Sequence, residues 1–316
     1  MNTTFWGPSG WTFLHTLTFI YPENPSYSDK VKMQSFMNSI AYILPCKYCR
    51  ISFTKYSKSL SIVNYLDNRE KIVEWLYKIH NKVNKKLRTQ GFCKYENPEI
   101  DTVKHKYKPI VEHITHLCSK NTAQSSNTTQ DIINYICDLG RDFLGSIVFN
   151  YQGYFSNCHT GDEKIQIVSI YHTFFNSIIP LLCDYLKKLN KECDINVSRY
   201  ETSIINKMKS EKTIKINNIF RIRNILTQNE AYTKLIEWLY HCNTLCLMKD
   251  KFKTYEDYMN YYSKHIVLSC SNPVTIKGEI IKSCRKFTKH ISKTKEKTKT
   301  KTKTKKSKSK SKSKSN

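Results

Sequence analysis

Glycine, proline and acidic side chains are all scarce in this sequence. Eight glycines and eight prolines in 316 residues leave few turn formers, and with 39% hydrophobic residues and heavy use of Lys, Asn, Ile and Tyr the chain reads as mostly helical. Acids number 26 against 52 Lys and Arg, a formal net charge of +26, which turns attention to polyanionic partners. No apolar run precedes Trp6, and no stretch approaches about eighteen uncharged apolar residues, so neither a secretory signal nor a membrane span is expected. The twelve cysteines are then expected to sit in a reducing compartment, mostly as thiols. A second Cys-x-x-Cys is missing as well.

The one such pair present is Cys46-Lys47-Tyr48-Cys49, preceded by Leu44-Pro45 and set between two helical patterns. Proline is tolerated at a helix start, where its missing N–H has no intrahelical partner to lose. A cysteine there is held as thiolate by unpaired backbone N–H groups and the positive end of the helix dipole, which can bring its pKa to roughly 3.5–7.5 from about 8.5. Two thiols at this spacing close a small disulfide ring that opens and re-forms without unfolding anything. The spacing alone fits half a zinc site, a thioredoxin-type dithiol or two buried thiols. Zinc needs two more ligands at a matching spacing, and the nearest downstream cysteines, Cys93 and Cys118, stand alone. A thioredoxin-type motif follows a buried strand, whereas Met33, Phe36, Met37, Ile40, Ala41 and Leu44 trace one face of a helix.

Two flanking segments narrow the choice. Trp6-Gly7-Pro8-Ser9-Gly10-Trp11-Thr12-Phe13-Leu14-His15-Thr16, ending in Tyr21-Pro22, lies upstream; Trp75-Leu76-Tyr77-Lys78-Ile79-His80-Asn81-Lys82-Val83-Asn84-Lys85-Lys86-Leu87 lies downstream. With the cysteine pair they resemble the Erv/ALR family of FAD-dependent sulfhydryl oxidases: a Gly-x-x-x-Trp-x-x-Leu-His-Thr helix, a Cys-x-x-Cys helix, then His-Asn-x-Val-Asn-x-x-Leu. The resemblance covers roughly residues 5–95 and is nearest to members encoded by large DNA viruses. It implies a helical bundle holding FAD, with Cys46 and Cys49 catalytic and Gly7, Trp11, His15, Tyr21, His80, Asn81, Val83, Asn84, Lys85 and Arg88 around the cofactor. It implies no metal. Cys46 is expected to be the more accessible sulfur, attacked by substrate, and Cys49 to lie beside the isoalloxazine.

The sequence departs from the family pattern after the fourth helix. Where the family pairs a Phe-x-Cys with a cysteine just before that helix's Trp, this chain has Gly91-Phe92-Cys93 and no cysteine near Lys71, leaving Cys93 without that disulfide. A downstream Trp that flanks FAD is also absent. Lys85, Lys86 or Arg88 then meets the FAD phosphates by charge, with Tyr95 as substitute ring.

Periodicity places helices over about 10–20, from about Ser28 or Asp29 as cap to Leu44, over about 46–56, and over about 68–88, whose Ile72, Leu76, Ile79, Val83 and Leu87 form the buried stripe. From about Asp101 the resemblance stops. Residues 119–130 read as a polar linker, followed by helical patterns over about 131–150, 162–189 with a kink at Pro180, 198–208, 229–248 and 255–267. Cys242 and Cys246, at i and i+4, are the candidate shuttle dithiol, weighed against plain packing. Lys71–Tyr77 echoes Lys234–Tyr240, and His15-Thr16 with Pro22 echoes His172-Thr173 with Pro180. The echo leaves two readings open, a degenerate second copy of the bundle or an unrelated helical domain with a homodimer formed through the first.

From Lys293 to Asn316 there are twelve Lys and one Glu, a net +11 of the chain's +26. Lysine alternating with Ser or Thr cannot bury a core, so this tail is expected to be disordered and to serve either as a solubilising end or as a non-specific polyanion tether. The reading is therefore an all-α protein: an oxidase bundle over 1–100, a second helical domain over 101–290 and a basic tail over 291–316. Its expected reaction turns two thiols of a protein substrate and O2 into a disulfide and hydrogen peroxide, in host cytoplasm or virion and without a membrane. The alternative is a basic nucleic-acid-binding or virion structural protein with a vestigial oxidase domain.

Overall fold

The computed structural model describes residues 3–92, 94–119, 128–156, 161–190 and 254–265, and these are helical with no strand among them. In chain order the helices are α1 (Thr3–Phe19), α2 (Tyr27–Ile43), α3 (Lys47–Ser59), α4 (Arg69–Thr89), α5 (Ile100–Ser119), α6 (Thr128–Leu139), α7 (Arg141–Ser156), α8 (Gly161–Leu189) and α9 (Tyr255–Ser263), with a 3-10 turn at Ile62–Tyr65 before α4.

Local chemistry explains most of the boundaries. Ser26 caps α2 in a reciprocal capping box with Asp29, so the cap lies two residues upstream of the earliest one expected, and Asp29 is its N3 partner. Cys46 is itself the N-cap of α3, and Asn68 caps α4 by accepting from the Lys71 N–H at 2.9 Å. Helix α1 starts about two turns before the expected Gly10 and runs through Pro8. One backbone bond is lost there, but Trp6 packs on Phe143 and Phe5 on Tyr261, and those contacts hold the extra turns.

Helices α1 to α4 bury the residues that the periodicity selects, including Phe13, Leu14, Met33, Phe36, Met37, Ile40, Ile72, Leu76 and Ile79. Trp75 fixes α4 against the chain that enters it, donating from Nε1 to the Leu60 carbonyl at 2.9 Å. The stripe on α4 is fully buried only as far as Ile79; Val83 and Leu87 are half-exposed, so α4 emerges from the core in its second half.

The later helices continue the same core. Helix α7 lies on α1, α8 on α2, and α5 and α6 on each other and on α1. The pattern read as one helix over 131–150 is broken at Gly140, where a β-carbon would come within 2.7 Å of the Phe13 ring; the chain turns there so that α7 can lie along α1. Helix α5 was not expected. It runs through Pro109, an exposed residue, and buries Tyr107, Ile114 and Cys118.

Ile165–Leu189 of α8 is long and apolar enough to cross a membrane by length and composition, contrary to the expectation from sequence. Here it covers α2: Phe174 stacks on Phe36 at 5.2 Å, Tyr185 donates to the Asp29 carbonyl at 3.2 Å, and Lys188 pairs with the buried Asp29 carboxylate. Burial opposes that ionisation, but the bonds from Lys188 and Ser26 outweigh it and hold the Asp29 pKa below its ordinary value. Helix α8 continues through Pro180, whereas α1 ends before Pro22, so these two proline positions are not structurally alike. Lys234–Tyr240, the expected helices over 198–208 and 229–248, Cys93, the Cys242/Cys246 pair and the tail over 291–316 lie outside the described residues.

Candidate active site

The dithiol sits where α2 gives way to α3. Leu44 ends α2, Pro45 carries the chain across, and Cys46 accepts the first backbone bonds of α3 from the Cys49 and Arg50 N–H groups, both at 3.0 Å. Exposure ranks the two residues opposite to the expectation: Cys46 is 5% exposed, whereas Cys49 is half-buried. An external thiolate reaches Cys46 only once its cover is displaced.

A second cluster is built by α1, α4 and α5. Trp11 and His15 lie one turn apart on α1 and meet His80 of α4: the Trp11 and His80 rings stack at 3.8 Å with 9° between their planes, and His15 Nε2 is 3.2 Å from His80 Nδ1. One of those nitrogens donates and the other accepts, so the pair is satisfied when both rings are neutral. Burial, then the neighbouring His80, then Lys106 push the His15 pKa down to about 3; burial and Lys106 push His80 down to about 4. Both rings are therefore uncharged at neutral pH, and His15 Nδ1 is buried without a partner.

Tyr107 is the member of this cluster that the sequence reading missed. It comes from α5, is 2% exposed, stacks on His15 at 5.0 Å and on Phe19 at 5.3 Å, and is hydrogen-bonded to the Thr12 side chain. Burial raises its hydroxyl pKa to about 12 despite that bond. The expected substitute ring, Tyr95, is 83% exposed instead. A signal was available, because Val103, Tyr107, Ile110 and Ile114 recur at helical steps.

The remaining candidate residues fall into two groups. Asn81, Val83 and Asn84 follow His80 on the half-exposed part of α4, beside the cluster. Gly7 has open space around it, since a β-carbon there would meet nothing within 4 Å. The others are engaged elsewhere. Tyr21 is buried, donating to the Leu66 carbonyl at 2.9 Å and meeting Tyr185 edge-on at 5.3 Å, which makes it a packing residue. Arg88 is held by the Tyr95 carbonyl at 3.1 Å and Asn97 Oδ1 at 3.0 Å, Lys85 is exposed, and Lys86 reaches α3, donating to Ser52 Oγ at 2.6 Å.

The donor set suits a planar aromatic cofactor. Trp11 and His15, with its orphaned Nδ1, come from α1, Tyr107 from α5, and His80 with the half-buried Asn81 and Asn84 from α4, whose exposed second half also touches the dithiol turn through Lys86. His80 and Lys86 are six residues apart on α4, an axial rise of about 9 Å.

Residues 8–108 match the profile of the Erv1 / Alr family. Over that segment the chain is similar to this family. The match runs past the expected 5–95 and takes in Tyr107. Among its relatives, the protein named probable FAD-linked sulfhydryl oxidase R368 of Acanthamoeba polyphaga mimivirus is 40% identical over 85 residues, 27% of this chain and 59% of that protein. The mitochondrial FAD-linked sulfhydryl oxidase ERV1 of Saccharomyces cerevisiae is 38% identical over 86 residues, 27% of this chain and 44% of its own length. The FAD-linked sulfhydryl oxidase of African swine fever virus is 28% identical over 94 residues, covering 29% of this chain and 77% of that protein. The chain thus spans about half the length of the first two relatives. The matched residues run from α1 through α4 into the first part of α5; α6 to α9 lie outside the match.

Proposed function

We propose that this chain is an FAD-dependent thiol oxidase that forms disulfides in protein substrates and reduces O2 to hydrogen peroxide. The observation that carries the reading is the ring cluster of Trp11, His15, His80 and Tyr107, one of whose helices, α4, also reaches the Cys-x-x-Cys turn through Lys86. FAD would be held by those rings, with the Asn81 and Asn84 amides as hydrogen-bonding groups and Gly7 permitting close approach. When bound, FAD takes an electron pair from a dithiol and passes it to oxygen.

The chain's own part is thiol exchange. A substrate thiolate attacks one sulfur of the Cys46–Cys49 disulfide and expels the other as thiolate. A second substrate thiol then breaks the mixed disulfide, so the substrate leaves oxidised and the pair stays reduced with two electrons gained. Exchange wants a low-pKa leaving sulfur, which the N-terminus of α3 favours. His15 and His80, held neutral, add no positive charge to the ring cluster and can serve only as hydrogen-bonding groups there.

The setting we propose is host cytoplasm or virion, in keeping with the viral relatives. The faces of α1 and α2 on which α7 and α8 lie are already covered, so self-association as a homodimer uses another surface. Cys242 and Cys246 remain the candidate shuttle, and the lysine tail a salt-sensitive polyanion contact. The rival reading, a basic nucleic-acid-binding or virion structural protein with a vestigial oxidase domain, does not account for a chain that keeps both the dithiol and the ring cluster.

The test is purification under non-denaturing conditions. The protein should be yellow and should consume oxygen with dithiothreitol, and Cys46→Ser and Cys49→Ser should each abolish turnover. A colourless protein that stays colourless after refolding with FAD, or full turnover in either variant, refutes the reading.

A further inference from the structure

The first turn of α3 concentrates positive charge where helix starts ordinarily favour acids. Lys47, between the two cysteines, is 2% exposed; its Nζ is buried with no hydrogen-bond partner and lies 5.4 Å from the centroid of the Tyr48 ring. Arg50, directly after Cys49, is also 2% exposed, and its Nη1 donates to the Leu44 carbonyl. That bond draws the guanidinium back across the turn that presents Cys46. Four residues from Cys46, Arg50 lies on the same side of the helix. From α4, Lys86 donates to Ser52 Oγ at 2.6 Å and to the Tyr48 carbonyl at 3.5 Å. The last turn of α2 carries no charged residue. No carboxylate among the described residues forms an ion pair with Lys47 or Lys86.

A buried ammonium without a counter-ion is costly, and truncating its partner or supplying one has large effects. The turn can make its own counter-ion. The disulfide is neutral, but its reduction by two electrons leaves two sulfurs, one of which can remain as thiolate with its proton released to solvent. The Lys47 ammonium is thus better satisfied in the reduced state than in the oxidised one. A dithiol whose reduced form is stabilised is the stronger oxidant of the next thiol.

We propose that Lys47 and Arg50 are positioning residues that raise the reduction potential of the Cys46–Cys49 pair by supplying buried positive charge to its thiolate. This rests on the oxidase reading for the existence of a redox-active pair, but not on flavin turnover.

The experiment equilibrates the flavin-loaded full chain anaerobically across a glutathione redox series, quenches with an alkylating reagent and scores Cys46 and Cys49 by mass spectrometry. Lys47→Met and Arg50→Gln should each lower the equilibrium constant for reduction at least tenfold, about 30 mV for this two-electron couple. Arg50→Lys, which keeps the charge, should stay within about threefold of the parent chain. Lys47→Met replaces an unpaired buried ammonium by an apolar chain of similar length, so it should fold. Neutral variants that titrate within about threefold of the parent overturn the proposal while leaving the oxidase reading intact, and so does an Arg50→Lys variant displaced as far as Arg50→Gln. A parent chain in which Cys46 and Cys49 never pair, even in the most oxidising buffer, overturns both.

Discussion

Acidification should destabilise this protein well before its carboxylates protonate, because two imidazoles are buried in their neutral form. The His15 pKa falls from an ordinary 6.5 to about 3, chiefly through burial and then through His80 and Lys106, and that of His80 falls to about 4 through burial and Lys106. Below pH 6.5 the unfolded chain takes up these protons and the folded chain does not, so stability falls with falling pH. The contribution is complete above about pH 6.5 and is lost progressively until both states are protonated, near pH 3 to 4. At pH 5 each ring accounts for about 2 kcal/mol, from the ratio of protonation factors of the two states, or about 4 kcal/mol together as an upper bound. For a chain of this size that is a fall in Tm of roughly 5–10 °C between pH 7.5 and pH 5. The window avoids Asp29, whose lowered pKa makes its own contribution fade only below the usual carboxylate range. The assay is thermal melting at constant ionic strength, with a His15→Asn/His80→Phe double variant as control. That variant should be less stable at pH 7.5 and should lose most of the slope between pH 7.5 and 5. A parent Tm constant within about 2 °C over this range, or an unchanged slope in the double variant, would show that the cluster is not a neutral buried pair.

Three further outcomes are expected. Tyr107→Leu keeps the bulk of the side chain but removes the ring over His15, and should lower flavin retained through gel filtration while shifting Tm by less than about 3 °C; unchanged flavin content would leave Tyr107 a packing residue. Gly140→Ala forces a β-carbon toward the Phe13 ring, where 2.7 Å separates them, and should cost about 1–3 kcal/mol in chemical denaturation, with Phe13→Leu restoring part of it. Removing residues 293–316, with twelve of the chain's lysines, should leave flavin content and dithiothreitol oxidation unchanged and should weaken binding to duplex DNA with a shallower salt dependence; an unchanged slope would assign that binding to the +15 carried by the rest of the chain.

How much of this could be read from the sequence depended on whether a residue's role is set locally. Capping, the Cys-x-x-Cys turn and the α4 stripe are decided within one or two turns of helix, and each was legible to within a few residues. The N-cap of α2 was misplaced because Ser26, Ser28 and Asp29 all favour caps, and only the reciprocal bonds between Ser26 and Asp29 select one. Gly140 reads as a tolerable glycine inside a helical pattern until Phe13, far away in sequence, is found against it.

The same distinction explains why the ring cluster was found in part. Trp11, His15 and His80 stand in a spacing that the family pattern carries, whereas the third ring had to be chosen among the tyrosines that follow α4. Nearness in sequence favoured Tyr95. What decides the matter is that α5 continues through Pro109: the proline sits on the solvent side, where the loss of one backbone bond is made up by water, while the opposite side keeps Tyr107, Ile114 and Cys118 buried. With no helix expected between about Asp101 and residue 119, the aromatic partner of His15 stays hidden as well. The accessibility of the sulfurs fails for a related reason. A helix N-terminus predicts thiolate character but says nothing of what lies over it, and Cys46 turns out to be the buried member of the pair. The cover over Cys46 and the buried cations beside it are then parts of one arrangement: a low-dielectric turn in which charge on Lys47 and Arg50 acts on sulfur more strongly than it would in water.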